Sequence, residues 1–274
     1  MGDTIDSLQI YINSKYASSN PDYSGANNLY LLPYIVAPEG HYIHISVVNA
    51  SIPYSFYNIN SDNNVLYCTV HYQFISGVMA AHDESYFINI SQGNYNANQM
   101  ATVLSKMSNW TPTSSLGSYD NPNLVVTYDA ITNRFIFKNT LNLEFEFPYP
   151  QTTCIEPLGL SEILINNSSF GYQYISKYSI NLAVVRTINV VTNYSSGNLS
   201  ILEQNNYNTL CSIPVTVLPN SLIYYENSND FKTNLYLGEI NNINIKLTDQ
   251  DNNVLFLNGL YYNLTLQIDI LRFN

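Results

Sequence analysis

The sequence predicts a mainly β chain, a sandwich or jelly roll, with one small α+β unit inserted into it. Three observations predict this. Short runs such as SLQIYINS (7–14), HYIHISVV (41–48) and VLYCTVHYQF (65–74) alternate Val, Ile, Tyr and Thr with polar groups, the period of a half-buried strand. Turn-forming residues separate such runs at about dozen-residue intervals, the rhythm of sandwiches. In one stretch only, QGNYNANQMATVLSKM (92–107), the apolar period lengthens to that of a helix. No repeat recurs at the spacing of a propeller or solenoid.

The first strands are punctuated by SSNPDYSGANN (18–28), VAPEG (36–40) and SDNN (61–64), where Asn and Asp tolerate left-handed backbone and cap their own turns. In the unusual stretch, Met100, Val103, Leu104 and Met107 form one apolar stripe. Asn96 is a good N-cap, and Gln99 completes a capping box. The strand-like runs NLVVTYDA (123–130), NRFIFKN (133–139) and LEFEFPYP (143–150) supply a sheet for that stripe to cover, and residues 129–133 read as a hairpin loop. Alternation resumes at GYQYISKYSI (171–180) and runs through LAVVRTINVVT, TLCSIPVTVL, INNINIKLTD and YYNLTLQIDILRF. The expected division is therefore 1–88 and 171–274 for the two parts of the sandwich, with 89–170 as the inserted subdomain. The runs near Leu29 to Val48 and Ile243 to Ile270 are its expected core.

Composition narrows function. Lys and Arg number 9 against 20 Asp and Glu, a net charge of −11. Without clustered cations to displace counterions, neither nucleic acid nor an anionic membrane is an expected partner. No run is long and apolar enough to span a bilayer, and the opening MGDTIDSLQI lacks a secretory signal. The chain reads as made in the cytoplasm. Cys68, Cys154 and Cys211 are too scattered for a disulfide framework or a zinc site. Charged residues make up only 11%, while Tyr numbers 25 and roughly one residue in seven is Asn. Scarce charge with abundant tyrosine suits extensive protein interfaces.

Three stretches, in consistent order, carry a family resemblance. ASIPYSFYNINSDNN (50–64) resembles a signature of the penton-type minor capsid proteins of virophages and polinton-like viruses. The series QGNYNANQMATVL (92–104), NLVVTYDAITNRFIFKN (123–139) and CIEPLGL (154–160) resembles an insertion found in those proteins. The ending INIKLTDQDNNVLFLNGLYYNLTLQIDI (243–270) is similar to their C-terminus. The resemblance implies a single jelly roll that assembles as a homopentamer at icosahedral vertices, among double-jelly-roll major capsid proteins in the virion. The inserted unit would project outward, where it would meet a host receptor.

Two rival readings name residues of their own. A glycan-binding attachment module would stack sugars on Trp110, the only tryptophan. A cupin-like metalloenzyme would use His41 and His44, but a spacing of three sends strand side chains to opposite faces. His82-Asp83-Glu84 follows SGVMAA (76–81) and reads as a solvated turn. A glycosidase would need two carboxylates from Asp83, Glu84, Asp129, Glu144 and Glu146. The last two alternate with Phe145 and Phe147, as on a strand with one wet face. No nucleotide, metalloprotease or serine-hydrolase motif occurs. The expectation is a structural protein with no catalytic residue, metal or cofactor.

Overall fold

The computed structural model describes residues 4–72, 82–113, 120–161, 166–167, 172–194, 208–235 and 238–272. In chain order its strands begin with β1 (Thr4–Asn13), β2 (Asn27–Val36), β3 (His41–Pro53), β4 (Val65–Tyr72), β5 (His82–Asn89) and β6 (Thr111–Pro112). β7 (Leu124–Asp129), β8 (Arg134–Asn139), β9 (Glu144–Phe147), β10 (Asn166–Asn167) and β11 (Gln173–Ile175) follow. β12 (Thr187–Thr192), β13 (Thr209–Pro214), β14 (Leu222–Glu226), β15 (Thr233–Leu235), β16 (Glu239–Thr248) and β17 (Asn263–Arg272) complete the series. Two α-helices, α1 (Ala97–Ser105) and α2 (Ile155–Leu158), lie between β5 and β10. These elements form two compact units, one from Met1–Phe56 with Val185–Asn274, the other from Tyr57–Val184.

The first unit consists of two antiparallel sheets, β1-β17-β3-β14 with β15 also on β3, and β13-β12-β16-β2. The two ends of the chain meet in both. β17 lies between β1 and β3, with Ser7 opposite Asp269 and Ile268 opposite Ile45. β16 pairs with β2, placing Ile243 opposite Tyr30. Alternation explains the core, since Ile43, Ile45 and Val47 of β3 pack with Ile243, Ile245 and Leu247 of β16 and Leu264, Leu266 and Ile268 of β17. Each such buried aliphatic chain contributes about 1.5–3 kcal/mol. Tyr262 is wholly buried, and its hydroxyl meets those of Tyr30 at 3.1 Å and the Asn28 amide at 3.4 Å. Burial pushes that phenol up to about 12, so it stays neutral. Left-handed Asn252, Asn258 and Gly259 turn the chain between β16 and β17, as the run of Asn and Gly there predicts.

The second unit pairs the sheet β10-β9-β4-β5-β6 with the sheet β11-β8-β7. Its core joins Leu66, Tyr86, Ile88, Phe135, Phe137 and Phe147, with Met100 and Leu104 of α1. Phe137 meets Phe147 edge-on at 4.8 Å, the geometry that aromatic quadrupoles favour. The capping box forms as predicted, with Asn96 Oδ1 accepting from the Gln99 N–H and Gln99 Oε1 accepting from the Asn96 N–H, both at 2.9 Å. The apolar stripe stops short of prediction: α1 ends at Ser105, and Met107 falls in a following 3-10 turn, exposed. Ser105 also caps a sheet edge. Its hydroxyl accepts from the Val126 N–H at 2.8 Å, occupying the free side of β7, and donates back to the Ala101 carbonyl of α1 at 2.8 Å, with the Val126 carbonyl at 3.0 Å.

The unit boundaries lie at 56/57 and 184/185, whereas alternation suggests 88/89 and 170/171. β4 and β5 pair with each other and with β9 and β6, so they belong to the second unit. At its far end β11 pairs with β8, and the Ile180 N–H reaches the Asn133 carbonyl at 2.9 Å. Asn58 fastens the two ends of this unit together, donating from Nδ2 to the carbonyls of Tyr95 at 2.8 Å and Leu182 at 3.0 Å.

Candidate functional site

The residue types that suggest chemistry are absorbed by structure. His41 and His44 lie at opposite parities of β3, as their spacing predicts. His41 Nδ1 sits 2.9 Å from the Glu39 carbonyl oxygen, and the His44 ring meets Tyr42 edge-on at 5.1 Å. Among the described residues no three His, Cys, Asp or Glu side chains come together as a metal would require.

His82-Asp83-Glu84 is not a solvated turn. It opens β5, and alternation sends Asp83 to one face and His82, Glu84 and Tyr86 to the other. Glu84 is buried, with His82 Nε2 at 3.0 Å from Oε1 and the Tyr86 hydroxyl donating to Oε2 at 2.5 Å. Tyr72 continues the network, 3.2 Å from the Tyr86 hydroxyl and stacked on the His82 ring at 5.0 Å. Burial and Glu84 push the Tyr86 phenol far up, so it remains a proton donor. On the outer face His71 pairs with Asp83 at 2.8 Å, with Glu144 opposite it on β9. SGVMAA (76–81) lies outside the described residues.

The remaining carboxylates do not converge. Glu144 and Glu146 alternate with buried Phe145 and Phe147, as predicted. Asp129 accepts from the Ile131 N–H at 3.0 Å and the Thr132 hydroxyl at 2.6 Å, and these bonds hold it below the usual carboxylate range. Trp110 is only 5% exposed, and its indole N–H donates to the Leu104 carbonyl at 2.9 Å. A ring closed into the end of α1 offers no face to a sugar. All three thiols are free; Cys68 and Cys154 are buried in the second unit, while Cys211 is in the first.

A further network centres on β17. Asp269 of β17 is 2% exposed and accepts from the Ser7 hydroxyl at 2.6 Å and Gln267 Nε2 at 2.9 Å, with Lys232 Nζ at 2.9 Å. Burial pushes its carboxyl up, but the bonds from Ser7, Lys232 and Gln267 outweigh it and hold it below the usual range. Lys232 is raised in turn, chiefly by its bond to Asp269. A single Asp in the apolar run 264–271 was the available signal.

Apolar side chains stay exposed at several places, among them two edge strands. Among the described residues β1 pairs with β17 alone, and Thr4 to Gln9 are exposed at both parities. Ile5, Leu8 and Tyr11 all face solvent, the last 78% exposed. β2 presents Leu31, 73% exposed, with Tyr34 and Val36. Its edge is partly closed, because the Ser18 N–H donates to the Leu29 carbonyl and Pro33 has no N–H to offer. β1 has no Pro, Lys or Arg, and apart from the Ser7 N–H, which Asp6 Oδ1 accepts at 2.8 Å, its outward N–H and C=O groups form a template for a further strand.

Neither a known family pattern nor any curated protein sequence matches the chain. Among solved structures, the chain shares its fold with the penton protein of mavirus, at a TM-score of 0.51 and 13% identity. That likeness covers 97% of this chain and all of that one. VP17, a capsid protein of bacteriophage P23-77, aligns at 9% identity over 98% of this chain and 99% of its own, but its TM-score of 0.17 is too low to bear on the fold.

Proposed function

We propose that this chain is a structural capsid protein that forms the pentameric vertex of an icosahedral virion. The observation that carries this reading is the sandwich built from both ends of the chain, within a penton-like fold of nearly full length. Taking β14 and β15 together, the described residues of the unit form eight successive strands, in the spatial orders first-eighth-third-sixth and second-seventh-fourth-fifth. That order supports reading the unit as a single jelly roll, with Tyr57–Val184 as an insertion between its third and fourth strands.

Jelly rolls serve many purposes, so function is argued from the surface. The exposed apolar side chains on β1 and β2, with so little charge on the chain, suit a protein that meets neighbours along its edges. A heterologous contact that closes after five copies makes a ring, and its outer rim would meet the major capsid protein. On this reading the chain is made in the host cytoplasm and resides in the capsid.

The test is the mass of the purified chain by native mass spectrometry or light scattering. A discrete five-subunit species supports the vertex, and Leu8→Lys with Leu31→Lys should dissolve it without altering the fold. A chain that stays monomeric at high concentration, and does not co-assemble with its major capsid protein, refutes it.

A further inference from the structure

We propose that His44 is an acid trigger, whose protonation unlatches β15 and Lys232 from the outer face of the β1-β17-β3-β14 sheet. Ile43, Ile45 and Val47 of β3 point into the core, so His44 stands on the opposite face. Register sets its neighbours: Asn234 of β15 lies directly opposite on one side, and Asp269 of β17 on the other. The imidazole is bonded to Asn234, and its Nδ1 is buried without a hydrogen-bond partner among the described residues. Tyr42, two residues back on the same face, meets the ring edge-on at 5.1 Å.

This arrangement suits a neutral ring and not a charged one. An imidazolium donates from both nitrogens, and only one of them has a partner here. The anion across the strand pair is Asp269, whose oxygens are committed: Oδ1 to the Ser7 hydroxyl at 2.6 Å and Gln267 Nε2 at 2.9 Å, Oδ2 to Lys232 Nζ at 2.9 Å. Lys232 leads into β15 and also meets Asp230 at 3.5 Å, while β15 itself carries no charge and β1 brings the uncharged Ser7. Burial holds the His44 ring below its ordinary value; the Asn234 bond and the Asp269 charge oppose this, and the Lys232 charge adds to it. The neutral ring's contribution to stability is therefore complete above the unfolded value of about 6.5, and is lost as pH falls from there toward the folded one. Once charged, the ring competes with Lys232 for Asp269 and repels it, so the cation that fastens the start of β15 is released. β15 spans only three residues, and Ser7 ties β1 to the same carboxylate, so the loosening reaches both strands. His71 and His82 of the second unit differ, since each sits against a carboxylate and gains an ion pair when charged.

The test is hydrogen–deuterium exchange of the full chain at about pH 7.5 and about pH 5.5, resolved by peptide and corrected for the intrinsic pH dependence of exchange. Opening of β15 should rise roughly five- to tenfold in acid, bounded by the factor of ten that one proton supplies per pH unit. His44→Gln should hold that rise under about twofold. Lys232→Met should also abolish it, because Asp269 is then free to accept the imidazolium. Peptides of the second unit should respond alike in all three proteins. The proposal falls if β15 in the parent opens no more in acid, if His44→Gln matches the parent's rise, or if the rise persists in Lys232→Met. NMR titration of the parent decides the matter even where a variant does not fold: the His44 ring should titrate below about 6.5, and titration at or above that value overturns the proposal. It stands apart from the capsid reading, since none of these outcomes bears on subunit number.

Discussion

Asn58 offers the sharpest test of the division into two units. It is 6% exposed at the first residues of the second unit, and its side chain makes three bonds to main chain. Oδ1 accepts from the Tyr95 N–H at 2.9 Å, and Nδ2 donates to the carbonyls of Tyr95 at 2.8 Å and Leu182 at 3.0 Å. Asn58→Ala removes all three and spares the main-chain bond to Asn94. At about 1 kcal/mol per bond, more where a partner stays dry, the unit should lose about 2–4 kcal/mol. The thiols provide the readout. Cys68 and Cys154 are fully buried, with thiols pushed up by desolvation, so alkylation requires the second unit to open. Cys211 reports the first unit. Labelling resolved by peptide mass spectrometry should quicken roughly 30- to 700-fold at Cys68 and Cys154 and stay unchanged at Cys211. Asn58→Asp, which sets a carboxylate against two carbonyls, should do at least as much. A rise under about threefold refutes the hydrogen-bond argument. Equal acceleration of all three thiols refutes the unit boundary.

Asp269→Asn should destabilise the first unit at neutral pH. Because the folded carboxyl is held low, its contribution is present above the unfolded value near 3.9 and is lost as pH falls through the folded one. Thermal midpoints of the variant should therefore fall less steeply than the parent's in acid, and parallel profiles would count against the network. Lys232, held high, contributes below its unfolded value near 10.4 and loses that as pH rises through the folded one, so Lys232→Met should flatten the alkaline limb. Ser105→Ala leaves the Val126 N–H without its hydroxyl and should cost the second unit about 1–3 kcal/mol. Denaturation followed by the fluorescence of Trp110, which reports that unit alone, checks it, and an unshifted midpoint would sink the edge-capping argument.

Local signals in this chain were legible because local physics decides them. The lengthened apolar period, Asn96 and Gln99 predict α1 and its cap, and both form. The Asn-rich turns adopt left-handed backbone at Asn133, Asn252 and Asn258. Pairing partners were not legible. Alternation in VLYCTVHYQF states which side chains share a face but not which strand lies alongside, and β4 closes on β9 from residues 144–147. His82-Asp83-Glu84 misled for a related reason. A charged triplet after small residues suggests solvent, yet Glu84 is satisfied by Tyr86 two residues on, and Tyr86 by Tyr72 on another strand. The even spacing H-x-E-x-Y was visible; the partner that makes burial affordable was not. Trp110 likewise reads as exposed until the end of α1 supplies its carbonyl.

The treatment of strand edges links fold to assembly. The free side of β7 is occupied by Ser105, and β2 is partly closed by Ser18 and blunted by Pro33. Natural sheets blunt their edges in such ways because an open edge recruits other chains. β1 carries such devices only near its start, where Asp6 Oδ1 accepts from the Ser7 N–H at 2.8 Å beside a register shift between Thr4 and Asp6, and it leaves Ile5, Leu8 and Tyr11 exposed. A chain that closes one edge with a single hydroxyl has no physical obstacle to closing another. An open, apolar, nearly uncharged β1 is accounted for if a neighbouring subunit covers it, and Asp269, bonded to Ser7 within β1, fixes the strand that the neighbour meets. Disrupting that bond should then weaken assembly as well as the fold: Ser7→Ala should lower the oligomer's stability to dilution by more than it lowers the monomer's stability to denaturant. Equal losses would mean that the bond serves folding alone.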